Sequence, residues 1–260
     1  MIIDSHIHLW GDSVARADWL AGSGAEPLRR EFTLADYAGA SAAAGIDRAI
    51  VVTAEQSTAE TERLVVECAG SPLVAGIVGW VDLRGDVAGA PLAGLVGIRH
   101  SVISEGPGWL DRPDVARGIA AFAAGGRVLE LLIASRDLPA VTRCAAAHPG
   151  LAIVVDHLAA PPADAVGRAA WRDGVRLLAA NENLRLKLSG DGADDASFDV
   201  ALDAFGADRL MFGSDWPVSL LRTPLGDELG RMQRLVSSLS AAEREQLFSG
   251  TALRSYGLAA

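Results

Sequence analysis

Three short segments of the chain carry residue types suited to acid–base or metal chemistry, and they lie far apart in sequence. The first is Asp4-Ser5-His6-Ile7-His8, near the start of the 260-residue chain. Residues 1–4 read as a strand that runs into Ser5–His8, and alternate side chains on a strand share a face. His6 and His8 are therefore expected on one side, ~7 Å apart along the strand, with Asp4 one layer below. Two imidazoles so spaced suit one metal ion or one substrate oxygen, and a hydrogen-bonded pair in the core satisfies the same spacing. The second segment is DHLAAP (156–161), where His157 follows an apolar run. The third is GSDWP (213–217), where Asp215 follows another. Taken alone, Asp215 is more simply a turn former ahead of a stiff Trp-Pro step.

Position is what raises these residues together. The chain alternates short β-branched runs with Ala-rich amphipathic stretches from end to end. Strands are expected at 1–8, 48–54, 73–81, 95–101, 127–134, 151–158, 184–189 and 209–214. Helices are expected at 34–44, 59–69, 114–124, 138–147, 163–180, 196–205 and from 225 onward. Thr33 is placed as an N-cap with Asp36 in the first turn, and Gly45 stands where a C-cap belongs. Eight strands separated by helices, without a linker or a repeat, predict an α/β fold: one (β/α)8 TIM barrel over 1–260. A doubly wound open sheet is the alternative, but HIHLW occupies the place of its Gly-rich loop. In a closed barrel the ends of strands one, six and eight meet in one cavity. His6, His8, His157 and Asp215 then become neighbours, and three of the five histidines fall at strand ends. The longer loops 11–32 and 101–111 carry Trp19, Pro27, Pro107 and Trp109, as lids over that cavity would.

Composition narrows the partners. Thirty-three acidic residues against 23 Lys plus Arg give a net charge of −10, which argues against nucleic acid. Cys68 and Cys144 sit in Ala-rich helical stretches with no CxxC, and are expected as small buried residues of a reducing compartment. MIIDSHIHLW lacks the basic, then apolar, pattern of a signal peptide, and no run reaches ~20 apolar residues. A cytoplasmic protein with no membrane partner is expected; exposed Ala and Leu helix faces allow a homodimer.

HIHLW, the pairing of GWVDL (79–83) with GIRH (97–100), DHLAAP, NLRLKLSG (183–190) and DRLMFGSDWPV (208–218) together resemble the metal-dependent-hydrolase-like amidohydrolases. More closely they resemble the branch holding L-fuconolactonase, L-rhamnonolactonase and 2-pyrone-4,6-dicarboxylate lactonase. The resemblance spans essentially the whole chain. It implies Asp215 as general base, with His6, His8 and His157 around a substrate carbonyl or a metal. Strand four offers Arg99 and His100 and strand five has no His, so a two-metal site is not expected. One divalent ion on His6, His8, His157 and Asp215, zinc by donor type, is expected if an ion binds. Members working without metal are the other possibility. DHLAAP stands where relatives carry DHLGKP, and Thr251 where Asn often precedes Ala.

Around the mouth, Arg99 is either a clamp for two substrate oxygens or half of an ion pair. His100 follows it, on the other face unless the strand has ended. Glu55, Gln56, Trp80, Lys187 and Ser189 are candidates to bond or stack on a sugar ring, and Trp10 and Trp216 to form apolar walls. The reaction the resemblance implies is hydrolysis of a small lactone, a sugar lactone of the L-fucono or L-rhamnono type, in which Asp215 activates water while the histidines polarise the carbonyl. GxSxG is absent, which disfavours an α/β-hydrolase esterase. Two alternatives are an aromatic-acid decarboxylase on the same scaffold, whose extra Glu near strand one is missing here, and an inactive ligand-binding barrel.

Overall fold

The computed structural model describes residues 1–22, 24–190 and 193–259. Eight parallel strands follow one another around a barrel: β1 (Ile3–Ile7), β2 (Arg48–Val52), β3 (Val74–Gly79), β4 (Gly97–Ser101), β5 (Val128–Leu132), β6 (Ile153–Val155), β7 (Leu184–Leu188) and β8 (Leu210–Phe212). This is the (β/α)8 architecture the alternation predicts. Several strands are shorter than the apolar runs suggest. β6 stops before Asp156 and β8 before Gly213, so both chemical segments lie on the turns beyond them.

Strand alternation sorts the core into two bodies. Ile7, Val51, Ile77, Ile98, Leu129, Ile153, Leu186 and Phe212 join the large cluster outside the barrel. Ile3, Ile50, Val52, Val78, Val128, Val154 and Met211 fill the interior floor with Ala252 and Tyr256. The two helix-boundary signals hold: Thr33 caps Leu34–Ala44 in a capping box with Asp36, and Gly45 takes φ 76°. The terminal helix Thr251–Tyr256 closes the floor, and the Tyr256 hydroxyl reaches into the barrel to donate to Glu130. Cys68 and Cys144 are both buried, and burial pushes their thiols up to about 12 and about 11, so neither is a nucleophile at neutral pH.

β1 departs from the expected phase. Asp4 pairs with Ala49 but Ile7 pairs with Val51, so three steps on β1 match two on β2. That bulge turns Asp4 outward while His6 and His8 keep the interior. Asp4 is therefore not one layer below the imidazoles, as strict alternation requires. Its carboxyl accepts from Tyr37 Oη (3.1 Å), Ser214 N (2.8 Å) and His6 N (3.2 Å). Those bonds help close the ring between β8 and β1. Ser5 Oγ donates to Phe212 O (2.6 Å), Asp215 N to His6 O (2.9 Å) and His8 N to Trp216 O (2.7 Å).

Burial pushes the Asp4 carboxyl from 3.8 up to about 6, against the pull of hydrogen bonds from Ser214, His6 and Tyr37. The folded chain thus holds this proton more tightly than the unfolded one. Asp4 favours folding most below pH ~4, and that contribution is lost as pH rises through ~6, a change of about 3 kcal/mol. Asp4→Asn is expected to flatten the slope of unfolding free energy between pH 4 and 7 by that order. Urea unfolding across the interval checks it, and an unchanged slope would refute this role for Asp4.

Candidate active site

His6 arrives at the mouth from β1, and Gly213 makes room for it. A Cβ on Gly213 would lie 2.7 Å from the His6 Cβ. His8 follows one turn of the pleat later, its Nδ1 2.8 Å from Val52 O. A carbonyl only accepts, so Nδ1 carries a proton, and in the neutral ring Nε2 presents its lone pair toward His6 and Asp215. His157 is delivered differently. His157, Leu158, Ala159 and Ala160 all have φ between 49° and 61°, a left-handed turn without a glycine. Such a conformation costs ~1–2 kcal/mol per residue, and surrounding contacts must hold it. Trp171 Nε1 does so by donating to Leu158 O (2.7 Å), and Ser135 Oγ by donating to Ala160 O (3.1 Å). The His157 ring is then fixed by Ser189 Oγ at 2.8 Å from Nδ1 and packs over Gly190. Asp215 also has positive φ, 60°. Backbone strain gathers at the two turns that carry the site.

The four residues meet. His6 Nε2, His8 Nε2 and Asp215 Oδ1 form a triangle with edges of 3.2, 3.5 and 3.7 Å. The His157 ring lies 4.8 Å from that of His6, and His6, His157 and Asp215 offer donor atoms within 4.8 Å of one another. Burial pushes the Asp215 carboxyl up, but His157, His8 and His6 outweigh it and hold the group below the usual carboxylate range. It stays ionised, as a base must.

The donor set also suits a metal ion. Ligands at 2.0–2.1 Å around a tetrahedral zinc stand ~3.3 Å apart, close to the edges of the triangle. Imidazole and carboxylate are zinc donors, and His8 and His157 each have the second ring nitrogen engaged, which fixes ring orientation.

Beneath this cluster lies a layer of buried charge that the sequence reading largely missed. Lys187 is completely buried, its Nζ 2.6 Å from Glu130 Oε2, 3.5 Å from Asp156 Oδ1 and 3.1 Å from His6 Nδ1. Arg99 lies beside it, donating to Thr53 O and 3.8 Å from Asp156 Oδ2. Burial pushes Asp156 up, but Lys187 and His6 hold it well below the usual range. Glu130 is raised by burial despite Lys187. Unpaired, each buried ion would cost several kcal/mol, so the two cations and two carboxylates require one another.

Other predicted residues spread over the mouth and beyond. Lys187 is not at the rim, because its alternation phase on β7 points it to the interior. Trp10 is buried, its ring stacked 6.4 Å from His8 and its indole N–H on Arg30 O. Trp216 packs edge-on against Phe32 and Tyr37 in the large core cluster outside the barrel. His100 leaves the face of Arg99, stacks on Trp109 at 3.9 Å and meets Glu105 at 3.1 Å. Glu55 is half-buried on the loop after β2, within 3.4 Å of Ser13 Oγ. Ser189 serves His157. Glu130, Asp156 and Tyr256 were not singled out, although a lone acid in VLELL at an inward position is a readable signal.

A parallel barrel with imidazoles and a carboxylate gathered at the carboxyl ends of its strands carries them where (β/α)8 enzymes place their chemistry. The family model for amidohydrolases matches residues 3–258, and the chain belongs to the amidohydrolase family. It is 35% identical to an L-fucono-1,5-lactonase of Burkholderia multivorans over 98% of this chain and 96% of that one. It is 33% identical to an L-fucono-1,5-lactonase of Burkholderia ambifaria, covering 86% and 83% respectively. A crystal structure of an amidohydrolase from Burkholderia multivorans with bound zinc superposes with a TM-score of 0.92 at 34% identity, over the full length of both chains. No helix among the described residues is long and apolar enough to cross a membrane.

Proposed function

We propose that this enzyme hydrolyses a small sugar lactone, a 1,5-lactone of the L-fuconate type. The observation that carries the reading is the convergence of His6, His8, His157 and the ionised Asp215 on one another at the carboxyl ends of β1, β6 and β8. The L-fucono-1,5-lactonases among its relatives supply the substrate class.

The substrate carbonyl lies against the imidazoles, where the Nε2–H groups of His6 and His157 polarise it and stabilise the negative charge of the tetrahedral intermediate. Asp215 takes a proton from water as the water oxygen bonds to the carbonyl carbon. The intermediate collapses with cleavage of the bond to the ring oxygen, and the Asp215 carboxyl returns its proton there. Lactones are activated esters, so one base and one electrophile suffice, and no nucleophilic Ser or Cys is needed. A divalent ion on His6, His8, His157 and Asp215, zinc by donor chemistry, would add Lewis acidity at the same carbonyl and ease deprotonation of water.

The test is a panel of aldono-1,5- and 1,4-lactones followed by pH indicator, with CO₂ release from hydroxybenzoates measured in parallel. Release of one proton per lactone opened, fastest with the L-fucono ring, is expected. Carbon dioxide release without lactone opening would overturn the reading.

A further inference from the structure

The triangle at the mouth satisfies two incompatible arrangements. A 3.2 Å separation of His6 Nε2 and His8 Nε2 fits a hydrogen bond, and it equally fits two ligands of one ion. Which is realised depends on where His6 keeps its single proton. On Nε2, His6 is a donor to whatever occupies the cavity; on Nδ1, Nε2 becomes a metal ligand. The partners of Nδ1 therefore decide the chemistry of His6.

Two residues contend for that nitrogen. Lys187 Nζ stands 3.1 Å away and, as an ammonium, only donates, which requires Nδ1 to accept. Asp156 Oδ1 stands 3.4 Å away and only accepts, which requires Nδ1 to donate. Both Asp156 oxygens are buried, and among the described residues neither has a hydrogen-bond partner. With Lys187 nearer, the network has one consistent assignment. Lys187 donates to His6 Nδ1, His6 Nε2–H donates to His8 Nε2, and His8 Nδ1–H donates to Val52 O. The Lys187 ammonium also sits among His6, Glu130 and Asp156, whose donor atoms lie within 4.8 Å of one another and form a second cation site.

We infer that Lys187 is the resident cation of this site and a positioning residue: it fixes the proton of His6 on Nε2, which donates to His8 in the free enzyme and to the substrate carbonyl once that binds, while Asp156 is the waiting acceptor that turns His6 into a metal ligand when an ion enters. The assignment of His6 to the carbonyl rests on the proposed lactone hydrolysis. The tautomer and the competition for Nδ1 do not.

Two-bond nitrogen–proton spectra of protein labelled with ¹⁵N-histidine test it, His6 being identified by the signal lost in His6→Asn. In chelator-treated wild type, His6 is expected protonated on Nε2, and zinc is expected to move the proton to Nδ1. Lys187→Met should place the proton on Nδ1 without zinc and tighten zinc binding at least tenfold in chelator competition. Asp156→Asn should weaken zinc binding ~10–100-fold and leave the metal-free tautomer unchanged. Glu130→Gln with Lys187→Met removes the charge pair together, in case the single variant does not fold. An Nδ1-protonated His6 in metal-free wild type, or zinc affinity unaltered by loss of Lys187, overturns the inference. None of these readouts uses substrate, so a protein that opens no lactone yet shows the expected tautomers refutes only the proposed reaction.

Discussion

Asp215→Asn is expected to fold normally and to lose turnover by about three orders of magnitude, within the 10²–10⁴ that a positioned base contributes. The fold survives because the backbone at Asp215 has φ 60°, a region Asn tolerates at least as well as Asp. A neutral amide is also less costly to bury than the ionised carboxylate it replaces. Turnover fails because an amide cannot take a proton from water at neutral pH. The measurement is kcat on the best lactone with a parallel melting curve. Retention of activity within tenfold at unchanged Tm would remove Asp215 as the base.

Gly213→Ala is expected to damage both stability and activity, although it adds one methyl group. That carbon would lie 2.7 Å from His6 Cβ and 3.4 Å from His6 N and Ser189 Cβ, and the rigid parts of His6 must shift. Overpacking of this kind costs ~1–3 kcal/mol. A displacement near 1 Å at a reacting group can cost ~10²-fold in rate. We therefore expect kcat/KM to fall about a hundredfold, with a lowered unfolding midpoint. A variant with wild-type kinetics would show that His6 does not depend on the space Gly213 leaves.

The barrel was legible because its evidence is periodic. Eight apolar runs and intervening amphipathic stretches give the topology, and Thr33 and Gly45 mark a helix whose ends fall where they indicate. The gathering of His6, His8, His157 and Asp215 follows from topology plus strand-end position. What alternation alone misplaces is whatever depends on phase. The bulge in β1 sends Asp4 to the outside, because one extra residue reverses the face of everything before it. Lys187 looked like a rim residue, but its phase on β7 puts it under His6. Glu130 is visible as a lone acid in an apolar strand and Asp156 as the neighbour of His157, but their roles come only from Lys187, contributed by another strand. The left-handed path of 157–160 was not foreseeable from Leu158 and two alanines, none of which favours it.

The ring is sealed where the first strand meets the last, by bonds from the residues that make up the site. His6 O and Asp215 N, separated by most of the chain, form one of those seals. Catalytic competence is thus a report on completion: a nascent or truncated chain lacking its final quarter has no fractional activity to show. During refolding, turnover should return only after the carboxyl-terminal strand has been captured by the amino-terminal one.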